Sequence, residues 1–351
     1  MIPIYPAQSC LQGDHGAVTS VAFTADGNHI LSASEDGTLR LWHLATQQEL
    51  FGIQIHASTI YAIATPPHDH PNDHWVASAS STGEVTVWDM ATRRPLAQFD
   101  HGLTTRSRSV VCSADGRFLL MGNDDGLLWR WDWRADEAHC LLGHTRPIVG
   151  VAMASDGERV VSLGDDATLC LWHLPGGALH KTILLDSNYS EPLGLRLALS
   201  PDGWLAATSS SAVAVDLWDL ASGQRLNTLD HMVGNVLALA FLPDGQHLLT
   251  AGSVEGLERA PSETFPSETA ASDHTIRLWA IASGQEVAQF VGHSDSINAL
   301  ALSPNGRYFV SGSSDQTARV WSFPNPQRWG EVSSPIRNSH VSRRIYVSKK
   351  Q

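Results

Sequence analysis

The chain alternates short apolar segments with polar turns along most of its length. VTSVAF (18–23) leads into the turn TADGN (24–28), and HILSAS (29–34) leads through EDGT (35–38) into LRLWHL (39–44). Short runs rich in Val, Leu, Ile and Trp, separated by Asp-Gly turns, predict antiparallel strands joined by hairpins, four in each copy of the pattern. No amphipathic helical pattern persists for the length of a typical helix, so we predict an all-β fold.

The pattern repeats, and each copy carries a tryptophan in the same setting. Successive copies are 46, 43, 41, 46, 61 and 42 residues apart, so seven copies follow a period near 43 with one long interval. One four-stranded sheet cannot bury both faces, whereas seven sheets packed around an axis can, and a closed ring leaves only short edges. The repeat tryptophans are Trp42, Trp88, Trp131, Trp172, Trp218, Trp279 and Trp321.

Over about residues 7–323 the chain resembles the WD-repeat (WD40) family of β-propellers. The resemblance is carried by the pairs Gly143-His144 and Gly292-His293 and by the Trp-Asp pairs that begin at Trp88, Trp131 and Trp218. It implies a seven-bladed propeller of four-stranded antiparallel blades, in which the N-terminal segment 6–13 closes the last blade at about 294–323. We therefore assign residues 1–323 to the propeller and 324–351 to a basic C-terminal tail.

Several copies contain a Ser, a His and an Asp in addition to the tryptophan, which invites comparison with a catalytic triad. A catalytic triad is needed once, whereas this set recurs in several copies. The family resemblance instead assigns it to a buried hydrogen-bond chain from Trp through Ser and His to Asp. The predicted members are His15, Ser32, Asp36 and Trp42 in blade 1, His144, Ser162, Asp166 and Trp172 in blade 4, and His293, Ser311, Asp315 and Trp321 in blade 7.

Three blades depart from this set. Blade 2 has Thr82 where Asp is expected, and blade 3 has Met121 where Ser is expected. Blade 5 lacks the His and has Ala212 at the Asp position. Blade 5 is therefore either a specialised blade or an example of tolerated drift in a repeat array.

The sequence contains no recognisable motif for catalysis or cofactor binding. The patterns GxxxxGK[ST], HExxH and GxSxG are all absent, and we predict no enzyme and no cofactor. The loop at 66–75 carries His68, His70 and His74, which are metal ligands by residue type. The surrounding prolines favour an exposed hairpin loop, so we predict no metal site there.

Composition narrows the setting in which the protein acts. The chain has 23 Lys and Arg against 36 Asp and Glu, a net charge of −13, which gives no general attraction to nucleic acid or anionic lipid. There is no apolar run long enough for a membrane helix and no signal-peptide pattern at the N-terminus. The four cysteines form no CxxC pair. We predict a cytoplasmic protein, with a nuclear location open if the source is eukaryotic.

Two segments fall outside the repeat. The insertion 253–272 in blade 6 is acidic and proline-containing, and is either a partner-contacting arm or a tolerated surface loop. The tail 324–351 has six Lys and Arg and one Glu, which suits an acidic surface, a partner or an acidic polymer, or else a frayed terminus.

In this family, partner contacts come from the loops on one side of the ring, usually called the top face. Carrying those positions over gives a cationic and aromatic sector and an apolar crescent, residue types that suit a covered surface. The sector is Tyr61, Arg106 and Arg108, the crescent includes Val149, Leu193, Leu195 and Leu237, and Asn298 is a further contact.

We therefore predict a non-catalytic scaffold, monomeric within a larger complex, with a protein or peptide partner across its top face. The acidic end of that partner would face Arg106 and Arg108. Trp131-Asp132-Trp133-Arg134 fits the WDxR pattern of propellers that act as substrate receptors of cullin-type ubiquitin ligases, which is one alternative. Others are an RNA-associated scaffold that uses the basic tail and a reader of basic peptides such as histone tails.

Overall fold

The computed structural model describes residues 2–66, 74–99, 105–174, 176–185, 196–210, 214–229, 235–253 and 274–323. Every regular element in these ranges is a β-strand, so the all-β prediction is confirmed. No stretch of the described chain forms a helix of the length and apolarity that crossing a membrane requires.

The strands form seven antiparallel four-stranded blades, as predicted, and one blade gains an extra strand. The strands of blades 1 to 4 are β3 Val18–Phe23, β4 His29–Ser34, β5 Thr38–His43, β6 Glu49–Gln54, β7 Ile60–Ala64, β8 Trp75–Ser80, β9 Val85–Asp89, β10 Arg94–Gln98, β11 Ser107–Cys112, β12 Phe118–Asn123, β13 Leu128–Asp132, β14 Glu137–Leu141, β15 Ile148–Met153, β16 Arg159–Gly164, β17 Thr168–His173 and β18 Ala178–Leu184. The remaining strands are β1 Ile4–Pro6, β2 Ser9–Gln12, β19 Leu197–Leu199, β20 Leu205–Ser210, β21 Ala214–Asp219, β22 Gln224–Leu229, β23 Asn235–Phe241, β24 His247–Ser253, β25 Thr275–Ala280, β26 Gln285–Val291, β27 Ile297–Leu302, β28 Tyr308–Ser313 and β29 Thr317–Ser322.

The first strand of each blade lies nearest the ring axis, and we call it the inner strand. Each inner strand contacts the inner strands of both neighbouring blades, including β27 of blade 7 with β3 of blade 1, so the ring is closed. Apolar side chains fill the space between blades. Between blades 6 and 7, for example, Phe290 meets Phe309 edge to face with ring centroids 4.8 Å apart, and Trp321 is 1% exposed.

The N-terminal segment closes the ring, which confirms the predicted closure. Strand β2 pairs antiparallel with β29, from Ser9 opposite Val320 to Gln12 opposite Thr317. The strand before it was not predicted: β1 adds to blade 6 in parallel with β26, with Tyr5 opposite Phe290. The rings of Tyr5 and Phe290 lie 5.6 Å apart. The N-terminus therefore ties together two neighbouring blades.

The predicted hydrogen-bond chain is complete in blade 7. Trp321 Nε1 donates to Ser311 Oγ (2.8 Å), Ser311 Oγ lies 2.7 Å from His293 Nε2, and His293 Nδ1 lies 2.7 Å from Asp315 Oδ2. Burial lowers the pKa of His293 despite the opposing effect of Asp315. Burial opposes ionisation of Asp315, but hydrogen bonds from His293 and Thr317 hold the pKa of that carboxyl below its ordinary value. A neutral His then donates to an ionised Asp and accepts from Ser.

Blade 4 repeats this geometry. Trp172 Nε1 donates to Ser162 Oγ (2.8 Å), which lies 2.7 Å from His144 Nε2, and His144 Nδ1 lies 3.1 Å from Asp166 Oδ1. Ser162 is fully buried, so its hydroxyl has no route to a substrate. The chain satisfies buried polar groups and joins strands of one blade.

In blade 1 the structure corrects the assignment of His15. Trp172 follows His144 by 28 residues and Trp321 follows His293 by 28, and the residue 28 before Trp42 is Asp14. Asp14 indeed accepts from Ser32 Oγ (3.1 Å) and from Arg40 Nε (3.0 Å), while Trp42 Nε1 donates to Ser32 Oγ (3.0 Å). His15 contributes its backbone N–H, which donates to Asp36 Oδ2 (3.3 Å). A buried carboxylate and its arginine thus replace the imidazole.

The departures in blades 2 and 3 are compensated nearby. In blade 2, His56 Nδ1 lies 3.1 Å from Glu84 Oε2, so the longer Glu84, two residues after Thr82, supplies the missing carboxylate. In blade 3, the thioether of Met121 is only a weak hydrogen-bond acceptor, and Trp131 Nε1 donates to Asp136 Oδ1 instead (3.1 Å). Ala212 of blade 5 lies outside the described residues.

Truncating the N-terminus should separate the roles of its two strands. Deleting residues 2–6 removes β1 but leaves β2 in blade 7. We expect a loss of about 1–3 kcal/mol in the free energy of unfolding, because a few strand hydrogen bonds and a half-buried ring are lost. Deletion through Gln12 should cost far more because it opens the ring. Equal losses in urea denaturation for the two deletions would show that β2 does not close the ring.

Asp14 predicts a specific dependence of stability on pH. Burial raises the pKa of Asp14 from 3.8 to about 6, although Ser32 and Arg40 oppose the shift. Because the folded-state pKa is the higher one, the contribution to stability is complete below the unfolded pKa and is lost as the pH rises to the folded pKa. Relative to Asp14→Asn, the wild type should lose about 2 kcal/mol between about pH 4 and pH 7.

The measurement is urea denaturation of wild type, Asp14→Asn and Asp14→His at several pH values in that range. The His variant restores the usual residue of the repeat, and blade 7 accommodates Arg319 and His293 together. We expect the Asp14→His protein to fold. A difference between wild type and Asp14→Asn that stays constant with pH would rule out a buried, titrating carboxyl.

Candidate partner-binding face

The top face holds the loops that enter the inner strands and the turns between the second and third strands. In several blades the residue just before the inner strand accepts a backbone hydrogen bond from the residue before that turn. Arg106 O accepts from Asp124 N (3.1 Å), Pro147 O accepts from Asp165 N (2.8 Å), and blades 1, 2 and 7 have the same bond. This bond holds the predicted contact positions of one blade together on a rigid support.

The predicted cationic sector is present, but carboxylates accompany it. Arg106 is exposed, and Tyr61 is half-buried at the start of its inner strand. Arg108 Nε donates to Asp124 Oδ1 at 2.5 Å, and its side chain stays 39% exposed. The hydrogen bond to Asp124 is the main cause of a raised pKa of Arg108, and Tyr61 contributes electrostatically. Tyr61 and Arg108 occupy corresponding positions on the inner strands of neighbouring blades, and these two strands contact each other.

A second carboxylate, that of Asp165, interacts electrostatically with two arginines. Burial raises the pKa of Asp165, while Arg108 and Arg146 lower it. Its Oδ1 is buried and has no hydrogen-bond partner among the residues that the structure describes. The sector is thus a mixed network of Arg108, Arg146, Asp124 and Asp165 rather than a purely cationic patch, and sequence position alone had not singled out Arg146.

The apolar crescent is only partly described by the structure. Val149 is half-buried and packs against the core between blades 4 and 5, and Leu237 is also half-buried. Leu193 and Leu195 lie outside the described residues. The protein's own core therefore covers part of the Val149 side chain.

Asn298 is engaged in the ring itself. Its side-chain amide donates to Val18 O of blade 1 (3.2 Å) and to Ser314 Oγ (3.1 Å), so it bridges blades 7 and 1. Thr19, at the equivalent position of blade 1, donates to Ile60 O of blade 2 (2.5 Å). The side-chain N–H groups of Asn298 thus serve the seam between blades, and its role as a partner contact stays a prediction.

Sequence reasoning missed Arg196, just before the inner strand of blade 5. Arg196 Nε donates to Leu237 O of blade 6 at 2.6 Å. Burial lowers the pKa of Arg196, and the positive charge of Arg108 lowers it further. The only available signal was a large residue at a position where the other blades have Ser, Ala or Gly.

The His-rich loop, the blade 6 insertion and the C-terminal tail lie mostly outside the described residues. In the described part of the chain, no group of three or more His, Cys, Asp or Glu side chains is arranged to hold a metal ion. His74 precedes β8, whereas His68 and His70 lie outside the described residues, as do residues 254–272 of the insertion and the whole tail. The insertion does separate the second and third strands of blade 6, because β24 ends at Ser253 and β25 begins at Thr275.

Known proteins with similar sequences align with this chain over only part of their own length. The chain is 26% identical over 270 residues to nuclear distribution protein nudF of Aspergillus niger, covering 72% of this chain and 57% of that protein. It is 25% identical over 350 residues to striatin of Rattus norvegicus (91% and 42%) and 22% identical over 317 residues to cilia- and flagella-associated protein 52 of Sus scrofa (88% and 46%). The chain spans about half the length of these relatives.

The family comparison covers most of the blades seen in the structure. The WD40 family model, described as WD domain, G-beta repeat, matches residues 7–43, 47–89, 136–173, 223–280 and 284–322, which is more than half of the chain. Each match covers the first three strands of blade 1, 2, 4, 6 or 7 together with the fourth, outer strand of the blade before it, which for blade 1 is the closing strand β2. The sequence repeats, the closed seven-bladed ring and the match to the family model all agree. The protein therefore belongs to the WD40 repeat family.

Proposed function

We propose that this protein is a non-catalytic interaction scaffold that binds a protein or peptide partner across the top face of its propeller. The observation that carries the proposal is that half-buried Tyr61 and exposed Arg106 and Arg108 lie at the top ends of the contacting inner strands of blades 2 and 3. Tyr and Arg are enriched at the energetic centres of protein interfaces. Arg106, Arg108 and Arg146 favour a partner whose acidic end lies on this side of the ring.

The buried hydrogen-bond chains support a role without catalysis. The repeated Ser hydroxyls in blades 1, 4 and 7 are fully buried and already bonded to Trp. Their further partners, His144 and His293 in blades 4 and 7 and Asp14 in blade 1, belong to the same hydrogen-bond chains, so these Ser hydroxyls stabilise blades and are not exposed nucleophiles. The names of the similar proteins, such as nuclear distribution protein nudF, refer to cellular structures or processes and to no reaction.

A second candidate function is docking to the adaptor of a cullin-type ubiquitin ligase through Arg134. Arg134 is exposed at the bottom of blade 3, and its guanidinium lies over the Trp133 ring at 4.9 Å. Asp132 Oδ1 accepts from the backbone N–H of Arg134 (3.3 Å) and Ala135 (3.2 Å), which fixes the turn. An open groove of about 410 Å³ beside it is lined by Asp115, Arg117, Asp132, Arg134 and Ala135.

The two candidates use opposite faces, so charge reversals can separate them. In affinity purification from the source cells with quantitative mass spectrometry, Arg106→Glu and Leu237→Asp should lose the partners that the wild type retains. Arg307→Glu, a matched reversal on the bottom face, should retain them. Circular dichroism and thermal melting should show that all three variants fold. If both top-face variants keep the full set of partners, the top face is not the binding surface.

The ligase reading makes the converse prediction. Arg134→Ala should abolish co-precipitation with the purified adaptor while leaving the top-face partners unchanged. Adaptor binding at wild-type strength by Arg134→Ala, or none by the wild type, would reject this second candidate. An RNA-associated role through the tail requires that RNA binding, measured in a salt titration, depends on residues 324–351.

A further inference from the structure

The extra strand β1 shows how the edge of a blade in this protein accepts a further strand. In blade 6, β1 adds in parallel to the outer strand β26, and Gln289 N donates to Pro3 O (3.0 Å). The register places Ile4, Tyr5 and Pro6 opposite Gln289, Phe290 and Val291. The last three residues of β26 therefore supply the edge on which β1 lies.

The residue that corresponds to Val291 is polar in some blades and apolar in others. Val291 pairs with Thr275, four residues before the repeat tryptophan of its blade. The same relation gives Gln54 in blade 1, Gln12 in blade 7 and Leu184 in blade 4. Blades 1 and 7 therefore have a side chain that suits water at this edge, whereas blades 4 and 6 have an apolar one.

Blade 3 has an apolar residue at this position as well. Leu141 pairs with Leu128, three residues before Trp131, so the next residue, Leu142, corresponds to Val291. The chain then continues in the same way in both blades, as Leu142-Gly143-His144 and as Val291-Gly292-His293.

The two leucines at this position are the most exposed large apolar side chains that the structure describes. Leu184 is 77% exposed and Leu142 is 73% exposed, whereas Val291 beside β1 is 36% exposed. In the described part of the chain, β14 and β18 have no further strand beside them. A leucine gains free energy when it is covered, so these edges resemble that of blade 6 before a strand is added.

The edge of blade 3 is the less protected of the two. Proteins block strand addition at sheet edges with charged residues, above all lysine, and with proline. The outer strand β18 of blade 4 carries Lys181, whose Nζ donates to Ala221 O of blade 5 (2.8 Å). The outer strand β14 of blade 3 contains no Lys, Arg or Pro, and neither does β26, which accepts β1.

We propose that the outer edge of blade 3, at Cys140, Leu141 and Leu142, binds an extended segment of a partner protein as an added parallel strand. In such recognition the backbone of the segment pairs with the edge, and its side chains set the specificity. Strand β1 indicates the chemistry of the segment, which is apolar with an aromatic residue at its centre. Its residue opposite Leu142 covers that side chain.

The charge of the chain narrows the kind of segment further. The net charge is −13, and β14 begins at the exposed Glu137. Basic residues beside the apolar centre of the segment therefore favour binding, and acidic residues oppose it. This edge lies on the outer rim of the ring, so the inference is independent of the proposed function of the top face.

The peptide Thr-Thr-Ile-Tyr-Val-Lys-Lys tests the proposal when it is added to the isotope-labelled full-length protein and amide chemical shifts are followed by NMR. We expect saturable shifts at residues 138–142. The control is the same peptide with N-methyl groups on the amides of Ile, Tyr and Val, which then cannot donate to the edge. It should bind about tenfold more weakly or worse.

Three results would overturn the proposal. They are no binding of the unmethylated peptide, equal binding of the methylated one, and shifts centred on 182–184 or 289–291 instead of 138–142. The comparison of the two peptides uses the wild type alone, so it does not depend on the folding of any variant.

Leu142→Gln tests the apolar contact separately. Blades 1 and 7 have Gln at this position, so we expect the variant to fold, with circular dichroism as the check. It should bind the peptide about fivefold more weakly than the wild type. Leu226→Gln, at a 52% exposed leucine on the outer strand β22, is the matched control and should bind normally. Wild-type affinity in Leu142→Gln would contradict the proposal without affecting the scaffold function of the top face.

Discussion

Each blade of this propeller depends on packing both of its faces against neighbouring blades. A lone four-stranded sheet would leave one apolar face in water, and each buried repeat tryptophan alone removes on the order of 200 Å² from solvent. Closure is therefore the constraint on which the rest depends. Strand β2 closes the ring by pairing with β29 of blade 7, and β1 also joins the N-terminal segment to blade 6.

The polar groups inside the blades follow from that constraint. A tryptophan buried between sheets needs an acceptor for its N–H, and a Ser or Thr on the adjacent strand supplies it in six blades. The groups that complete the hydrogen-bond chain differ between blades. They are a His and an Asp in blade 7, a His and Glu84 in blade 2, and Asp14 with Arg40 in blade 1. The need for a bonded polar group is constant, whereas its identity is not.

Because the fold depends on a recurring pattern while the bonded polar residues vary, the sequence predicted the fold better than the individual contacts. The number of blades, their strands and the closing strand follow from the tryptophan spacing and from hairpin patterns, which are local. The prediction for His15 was wrong because it followed the Asp14-His15 pair as a counterpart of Gly-His. The spacing of 28 residues between the chain residue and the repeat tryptophan indicates Asp14 instead. Strand β1 could not be foreseen, since three residues in parallel pairing leave no periodic signal. Asp165 and Arg196 acquire their environments only when distant blades come together.

The candidate site shows the same limit. Tyr61 and Arg108 were found because their positions in the repeat recur, but the carboxylates among the arginines depend on the ring geometry.

The central claim is that a partner covers the top face. Hydrogen–deuterium exchange of the protein, free and bound to an affinity-purified partner, tests it most directly. The account predicts that partner binding slows exchange at 106–108, 147–149 and 235–237. It predicts no change in exchange at the bottom turns 24–28, 154–158 and 200–204. Protection confined to those bottom turns or to the outer strands would contradict it.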